Sequence, residues 1–271
     1  MQGASRAALS RSRQDLSDVL LARRDVAERL AEELFAVVGV LAAEPSLRRA
    51  LTDTSRSGSE RADLVRALFG SKVQPATLDV LAAVAAARWS TPSDLVTALE
   101  RLAVYAAAEA ADQHGHLDDL EDELFRFGRV LVASPDLRTV LSNPLAPAGL
   151  KRELLDRLLG GKVTPAAMTL ITEAAVHPRG RSLDASLTEY ARLVAEWRRR
   201  LVAVVRAATP LDAGQRDRLG AALAAAYGRE VHLNVIVDPQ LVGGMSIRIG
   251  DELIDGSVAS RLAALRRQLA A

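Results

Sequence analysis

The chain has 271 residues, of which 49% are apolar, 25% charged and 3% aromatic, with a formal net charge of +1. This is globular composition with room for two or three domains, and the near balance of 35 basic and 34 acidic side chains argues against a protein that coats nucleic acid or anionic lipid. There is no cysteine and histidine occurs four times, which removes thiolate nucleophiles, CxxC zinc sites, iron–sulfur clusters and disulfides and leaves a His-based metal site poorly supplied. Alanine accounts for 49 residues, and abundant Ala and Leu with few aromatics point to packed helices more than to a β-sandwich. The longest fully apolar run, Val80 to Ala87, is eight residues against the roughly 20 that a bilayer needs. The N-terminal M-Q-G-A-S-R reaches no uninterrupted apolar run, so no secretory signal and no membrane insertion are expected.

Shifted by 90 residues, the sequence aligns with itself without a gap. L-A-E-E-L-F at Leu30 to Phe35 lies over L-E-D-E-L-F at Leu120 to Phe125, and F-G-S-K-V-Q-P at Phe69 to Pro75 over L-G-G-K-V-T-P at Leu159 to Pro165. From Leu30 to Pro75, 17 of 46 positions are identical, and Pro45/Pro135, Gly70/Gly160 and Pro75/Pro165 stay in one register, which composition alone would not hold.

Within each copy the pattern is helical. Apolar residues at 30, 34, 37, 38 and 41 make an amphipathic stripe over Leu30 to Ala43. Pro45 and Pro135 open short helices ending at Leu51 and Leu141, and further helices run from about Glu60 to Phe69 and Leu150 to Leu159, closed by Gly70 and Gly160. After Pro75 and Pro165 the stripes are Leu78, Leu81, Ala82, Ala85 and Met168, Ile171, Thr172, Ala175. Thr91 is the expected N-cap of a long helix that Gly115 stops, a rod shared between the two bundles. The second copy ends with a helix from Ser182 through Trp197.

At about Leu201 the period changes. A strand L-V-A-V-V-R-A-A, a helix from Asp212 to Tyr227, a strand V-H-L-N-V-I-V and a hairpin of M-S-I-R-I and E-L-I-D around Gly250-Asp251 follow. A terminal helix is expected from Ser257. The fold class is therefore α+β, mainly α. Two tandem helical bundles, 1–103 and 104–200, share a long helix and precede a small α/β domain at 201–271.

Candidates for chemistry are better explained as structure. Gly243-Gly244 is followed by a strand, not a helix N-terminus, so it reads as a turn or bulge rather than a phosphate loop. Asp238 and Asp251 fall in turns, and Asp255 with Ser257 suits a helix cap. His114 and His116 lack the spacing of a helical metal site. No nucleophile, base and orienting group can be assembled, so an enzyme, a cofactor and a resident metal are not expected.

The stretch L-N-V-I-V-D-P-Q-L-V-G-G-M-S-I-R-I-G-D-E-L-I-D-G-S-V-A-S-R-L, Leu233 to Leu262, resembles the signature of the delta subunits of F-type ATP synthases, the family of the oligomycin sensitivity-conferring protein. The matching residues include Asp238, Gly243, Gly244, Arg248, Gly250, Asp251, Asp255, Ser257 and Arg261. Val104 to Ala111, V-Y-A-A-A-E-A-A, is similar to the opening of that family's helical domain, so the resemblance runs directly from about Leu102 to the C-terminus. It implies a non-catalytic stator subunit, peripheral on the cytoplasmic face of a bacterial plasma membrane, linking N-terminal helices of alpha subunits to the C-terminal region of the b-subunit stalk. In the family an alpha helix lies between the first and fifth helices of a six-helix bundle. By position these carry Leu102, Tyr105, Ala106 and Ala110, and Met168, Ile171, Ala174 and Ala175. The sequence departs from the family by about 90 additional N-terminal residues, which is the repeat period and marks a duplicated bundle. Its own groove would carry Leu78, Leu81, Ala82 and Ala85 on the fifth helix, with a first helix near Ser5 to Val19. The alternative function is a helical-repeat scaffold for amphipathic helices of other cytoplasmic partners. A generic scaffold has no reason to carry the C-terminal signature.

Overall fold

Prolines set the helix starts in the first 198 residues. Pro45, Pro75, Pro92, Pro135 and Pro165 each stand at a helix N-terminus, where their missing N–H costs nothing. The computed structural model describes residues 3–198, 201–227, 231–238, 241, 243–249 and 252–255. The chain divides into two units, 1–198 and 199–271.

The helical unit contains α1 (Gly3–Ala22), α2 (Ala27–Ala43), α3 (Pro45–Thr52), α4 (Gly58–Phe69), α5 (Pro75–Ala86) and α6 (Pro92–Gln113). It continues with α7 (Leu117–Ala133), α8 (Pro135–Ser142), α9 (Ala148–Leu159), α10 (Pro165–Val176) and α11 (Leu183–Arg198). The bounds of α2 to α5 recur in α7 to α10 with a displacement of 90 residues and no slippage. Local chemistry explains individual ends. Ser57 and Glu60 close a capping box on α4, and the Thr91 and Thr164 hydroxyls accept the Asp94 and Ala167 N–H groups. Gly70 and Gly160 follow α4 and α9, as the sequence predicts, but neither adopts the left-handed cap conformation. Glycine suits them because a Cβ would lie 2.5 Å from the Arg66 or Asp156 carbonyl oxygen.

Polar anchors inside the bundle are duplicated too. Glu33 accepts the Gln74 N–H at the start of α5 at 2.9 Å, and Glu123 accepts the Thr164 N–H at the start of α10 at 2.9 Å. At the other end of α5, buried Arg61 donates to the carbonyls of Ala85, Ala86, Ala87, Arg56 and Asp53. Its counterpart Lys151 donates to the Ala175 carbonyl at 2.9 Å, and burial lowers the Lys151 pKa from the usual lysine range. Helix C-termini leave carbonyls without intrahelical partners, and a cation there also meets the negative end of the helix dipole.

α6 is both the last helix of the first repeat and the first of the second. It packs against α1, α2, α3, α5, α7, α10 and α11. Fourteen of its 22 residues are buried, among them Ala98, Ala103, Ala106, Ala107, Ala108, Ala110 and Ala111. One hydrophobic core accordingly runs from Ala8 to Trp197 through both repeats.

In the second unit, β1 (Leu201–Ala207) pairs in parallel with β2 (Val231–Val237), with α12 (Ala213–Tyr227) between them in the chain. β3 (Met245–Ile249) pairs antiparallel with β1 and with β4 (Glu252–Asp255), giving the order β2-β1-β3-β4. Ala203, Val205, Leu223, Val231, Leu233, Ile247 and Ile249 form its core. The helix expected from Ser257 lies outside the described residues.

Because Arg61 satisfies five carbonyls and Lys151 one, Arg61→Ala should destabilise the helical unit by about 2–4 kcal/mol and Lys151→Ala by about 1 kcal/mol. Urea unfolding followed by far-UV circular dichroism measures both. Equal losses would contradict the capping role assigned to Arg61.

Candidate helix-docking faces and the C-terminal signature

The six residues expected to line a groove in the second repeat come together, but on the inside. Leu102, Tyr105 and Ala106 of α6 and Ile171 and Ala175 of α10 are buried, as are Ala110 and Ala174; Met168 is half-buried. The Tyr105 ring stacks on Trp197 with centroids 5.3 Å apart, carries the Arg13 guanidinium 5.1 Å from its centroid, and donates its hydroxyl to Glu196 at 3.0 Å. Burial raises its pKa well above the phenol range. α2 lies against α6 and also touches α10, leaving between the three a small cavity of about 60 Å³ that includes Ala31, Ala107, Ala110 and Ala166. The α6–α10 pair therefore meets a helix of this same chain.

A buried polar knot fixes the arrangement. Glu100 of α6 accepts from the Tyr190 hydroxyl and from Arg179, each at 2.7 Å, and also from Arg181. Arg179 holds a left-handed backbone with φ 48 in the α10–α11 turn, which aims its side chain inward. Tyr190 stands 90 residues after Glu100, so equivalent positions of the two repeats bond to one another.

In the first repeat the corresponding pair is α1 and α5. Leu81, Ala82 and Ala85 are buried, whereas Leu78 is half-buried. α1 is much more polar than α6, with Ser5, Ser12 and Ser17 among its buried residues and Arg6, Ala7, Ser10 and Arg11 exposed.

The two second helices differ most. α2 buries nine of its 17 residues, α7 only five of 17. The difference is a second face: Ala31, Phe35 and Val38 are buried, while their counterparts Glu121, Phe125 and Gly128 are not. Phe35 is 2% exposed and its ring meets Tyr190 with centroids 6.3 Å apart; Phe125 is 66% exposed. Two turns on, Val132 is 71% exposed. These residues fall outside the set expected from sequence, although an aromatic lying off the stripe Leu120, Leu124, Phe127 and Leu131 is a signal that could have found them.

In the C-terminal unit, the Asp238 N–H donates to Ala207 at 2.9 Å and its carbonyl accepts the Leu241 N–H at 3.1 Å, so Asp238 heads a turn after β2. Its carboxylate stands 3.9 Å from Arg206. Gly244, with φ 81, bends the chain into β3, where Arg248 points to solvent. Asp255 pairs its backbone with Ser246 in β4. Gly250, Asp251, Ser257 and Arg261 lie outside the described residues. Among the described residues no three His, Asp or Glu side chains are grouped to hold a metal, and no helix is long and apolar enough to cross a membrane.

The unequal burial of one repeat position has a direct consequence. Phe35→Ala should cost about 3–4 kcal/mol of stability and Phe125→Ala less than about 1 kcal/mol, by thermal or urea unfolding. Similar losses at both positions would contradict the placement of Phe35 inside and Phe125 outside.

A family model described as ATP synthase delta (OSCP) subunit matches residues 101–269, beginning within α6. Proteins named ATP synthase subunit delta match over the full length. The one from Thermobifida fusca is 47% identical, covering 100% of both chains, and the one from Streptomyces griseus is 48% identical, again covering 100% of both. That of Acidothermus cellulolyticus is 41% identical over 100% of both chains. The additional N-terminal repeat, which the family model leaves out, is thus shared with these relatives. A chain from the structure of the Toxoplasma gondii mitochondrial ATP synthase hexamer aligns with 62% of this chain and 95% of its own length at 23% identity, with a TM-score of 0.27, too low to bear on the fold. With full-length relatives near half identity and a family match over most of the second repeat and the C-terminal unit, the chain belongs to the ATP synthase delta (OSCP) subunit family.

Proposed function

We propose that this chain is the stator adaptor of an F-type ATP synthase, tying the N-terminal helix of an alpha subunit on the catalytic hexamer to the C-terminal region of the b-subunit stalk. The role is mechanical: it holds two partners together against the torque of rotation and carries out no chemistry of its own. In a bacterium it would lie on the cytoplasmic face of the plasma membrane as a peripheral part of the complex. The observation that carries the reading is the union in one chain of a helical unit built for helix packing with a C-terminal unit bearing the family's Asp238, Gly243-Gly244 and Arg248 pattern.

In this reading the helical unit receives alpha and the α/β unit receives b. α2 of this same chain lies along α6 and touches α10, so the pair that the family resemblance assigns to an alpha helix already meets an internal helix, and of its expected groove residues Leu102, Tyr105, Ala106, Ile171 and Ala175 are buried and Met168 is half-buried. The equivalent α1–α5 pair of the first repeat, with Leu78 half-buried and Leu81, Ala82 and Ala85 buried, is the second pair to which the duplication extends the same role. Helix-in-groove recognition suits such a shallow apolar pair. The near-zero net charge fits a protein that bridges two protein partners.

The test is affinity capture of the tagged chain from gently solubilised membranes. Alpha and b subunits should be recovered together with it. Recovery of neither would overturn the stator reading, and recovery of alpha without b would overturn the assignment of the C-terminal unit.

A further inference from the structure

We propose that α1 is a strap that opens as a unit from α5 and α6 while the rest of the helical unit stays folded, so that the first helix of the chain controls access to the sides of α5 and α6 beneath it. The proposal stands on the structure alone and holds whether or not the stator reading does.

The internal repeat supplies the reference for a fully seated first helix. α6 buries 14 of its 22 residues, whereas α1 buries six of 20, and three of those six are serines. On α6, Leu95, Leu102 and Tyr105 are each no more than 1% exposed. Ninety residues earlier α1 carries Ser5, Ser12 and Asp15. Ser5 and Ser12 are buried as deeply as the leucines they replace, yet they hide far less apolar surface. The Ser12 hydroxyl has no hydrogen-bond partner, and neither has the buried Thr77 hydroxyl of α5, one of the two helices on which α1 lies. A buried hydroxyl left unpaired costs the water it gave up. Asp15 is half-buried, and burial, reinforced by the Asp18 carboxylate, raises its pKa.

The polar ties of α1 can be released without stranding a charge. The Ser5 hydroxyl donates to Asp94 at 2.7 Å and accepts the Ser90 N–H at 2.8 Å, and Arg13 donates to Glu196 at 2.9 Å. When α1 lifts, Glu196 keeps the Tyr105 hydroxyl and Arg192. Asp94 stays in the first turn of α6, where the helix dipole favours a carboxylate. The link to α2 is a short 3-10 turn, Arg24–Val26, and neither that turn nor the start of α2 has a side-chain cap. α1 itself has no acidic residue in its first turn and no basic residue in its last. Little buried apolar surface, an unpaired buried hydroxyl and an uncapped link mark a segment that opens locally.

Because the chain lacks cysteine, one introduced thiol reports the opening of its own site. Ala8→Cys and Ser17→Cys on α1, Val38→Cys on α2 and Val194→Cys on α11 each place a thiol at a buried position of the full chain. Under native conditions both α1 thiols should react with a maleimide at least about 100-fold faster than those at 38 and 194, and within about three-fold of each other. In the Ala8→Cys chain, Ser12→Ala removes the unpartnered hydroxyl and should slow labelling about ten-fold. Ser10→Ala, at an exposed position of the same helix, changes helix propensity alone and should slow it no more than about three-fold. Hydrogen exchange of the unsubstituted chain should show the same ratio between α1 and α2 without any substitution. Labelling at positions 8 and 17 as slow as at 38, with α1 amides as protected as those of α2, overturns the strap. So does fast labelling at position 8 with slow labelling at 17, which is fraying from one end and not opening as a unit. Equal slowing by Ser12→Ala and Ser10→Ala overturns the role given to the polar seat.

Discussion

The structure depends on one helix being enclosed by two repeats at once. α6 can serve both because its sequence is apolar on more than one face and because its second half is mostly alanine. Small side chains let neighbouring helices approach near the lower limit of helix spacing, about 8 Å between axes. The few larger groups sit where a specific partner receives them: Tyr105 on Trp197, Glu100 under Tyr190 and Arg179, Asp94 with Ser5 of α1 at 2.7 Å. A longer side chain at Ala103, Ala106 or Ala108 would have no space to enter, and overpacking of that kind costs about 1–3 kcal/mol. The alanine excess of the composition is thus concentrated where two bundles meet on one rod.

Duplication kept the devices that hold each bundle together and changed the faces it presents. The Glu33 and Glu123 anchors and the Arg61 and Lys151 caps stand at equivalent positions and bond to equivalent carbonyl and amide groups. By contrast α1 became polar where α6 is apolar, and α2 gained a buried second face where α7 keeps an open one. These divergences follow from position in the stack: an inner face meets another repeat, an outer face meets solvent or a partner. Function lives in that asymmetry, because the fold of each copy is the same.

Much of this was legible in the sequence. The 90-residue register, the proline starts, the Thr91 cap, the shared rod and the β-hairpin near the C-terminus all follow from local chemistry that acts within a few residues. The stripe at 30, 34, 37, 38 and 41 also marks buried positions. What local pattern could not show is which helix covers which. Leu102, Tyr105 and Ile171 read equally well as groove or core, and only tertiary contacts, such as those of Tyr105 with Trp197 and Arg13, place them inside. Phe35 and Phe125 occupy the same repeat position in the matched L-A-E-E-L-F and L-E-D-E-L-F motifs, yet one is enclosed and the other exposed. The distinction lies in a tertiary contact with Tyr190, 155 residues along the chain from Phe35, and no periodicity encodes it.

Native-state hydrogen exchange of the full chain, read peptide by peptide, addresses the shared rod most directly. If α6 joins both repeats into one cooperative unit, the slowest amides of α2, α6 and α11 should exchange with opening free energies within about 1 kcal/mol of one another. A first repeat whose α2 opens several kcal/mol more easily than α11, with α6 protected alongside α11 alone, would contradict the single core and show two bundles that merely adjoin.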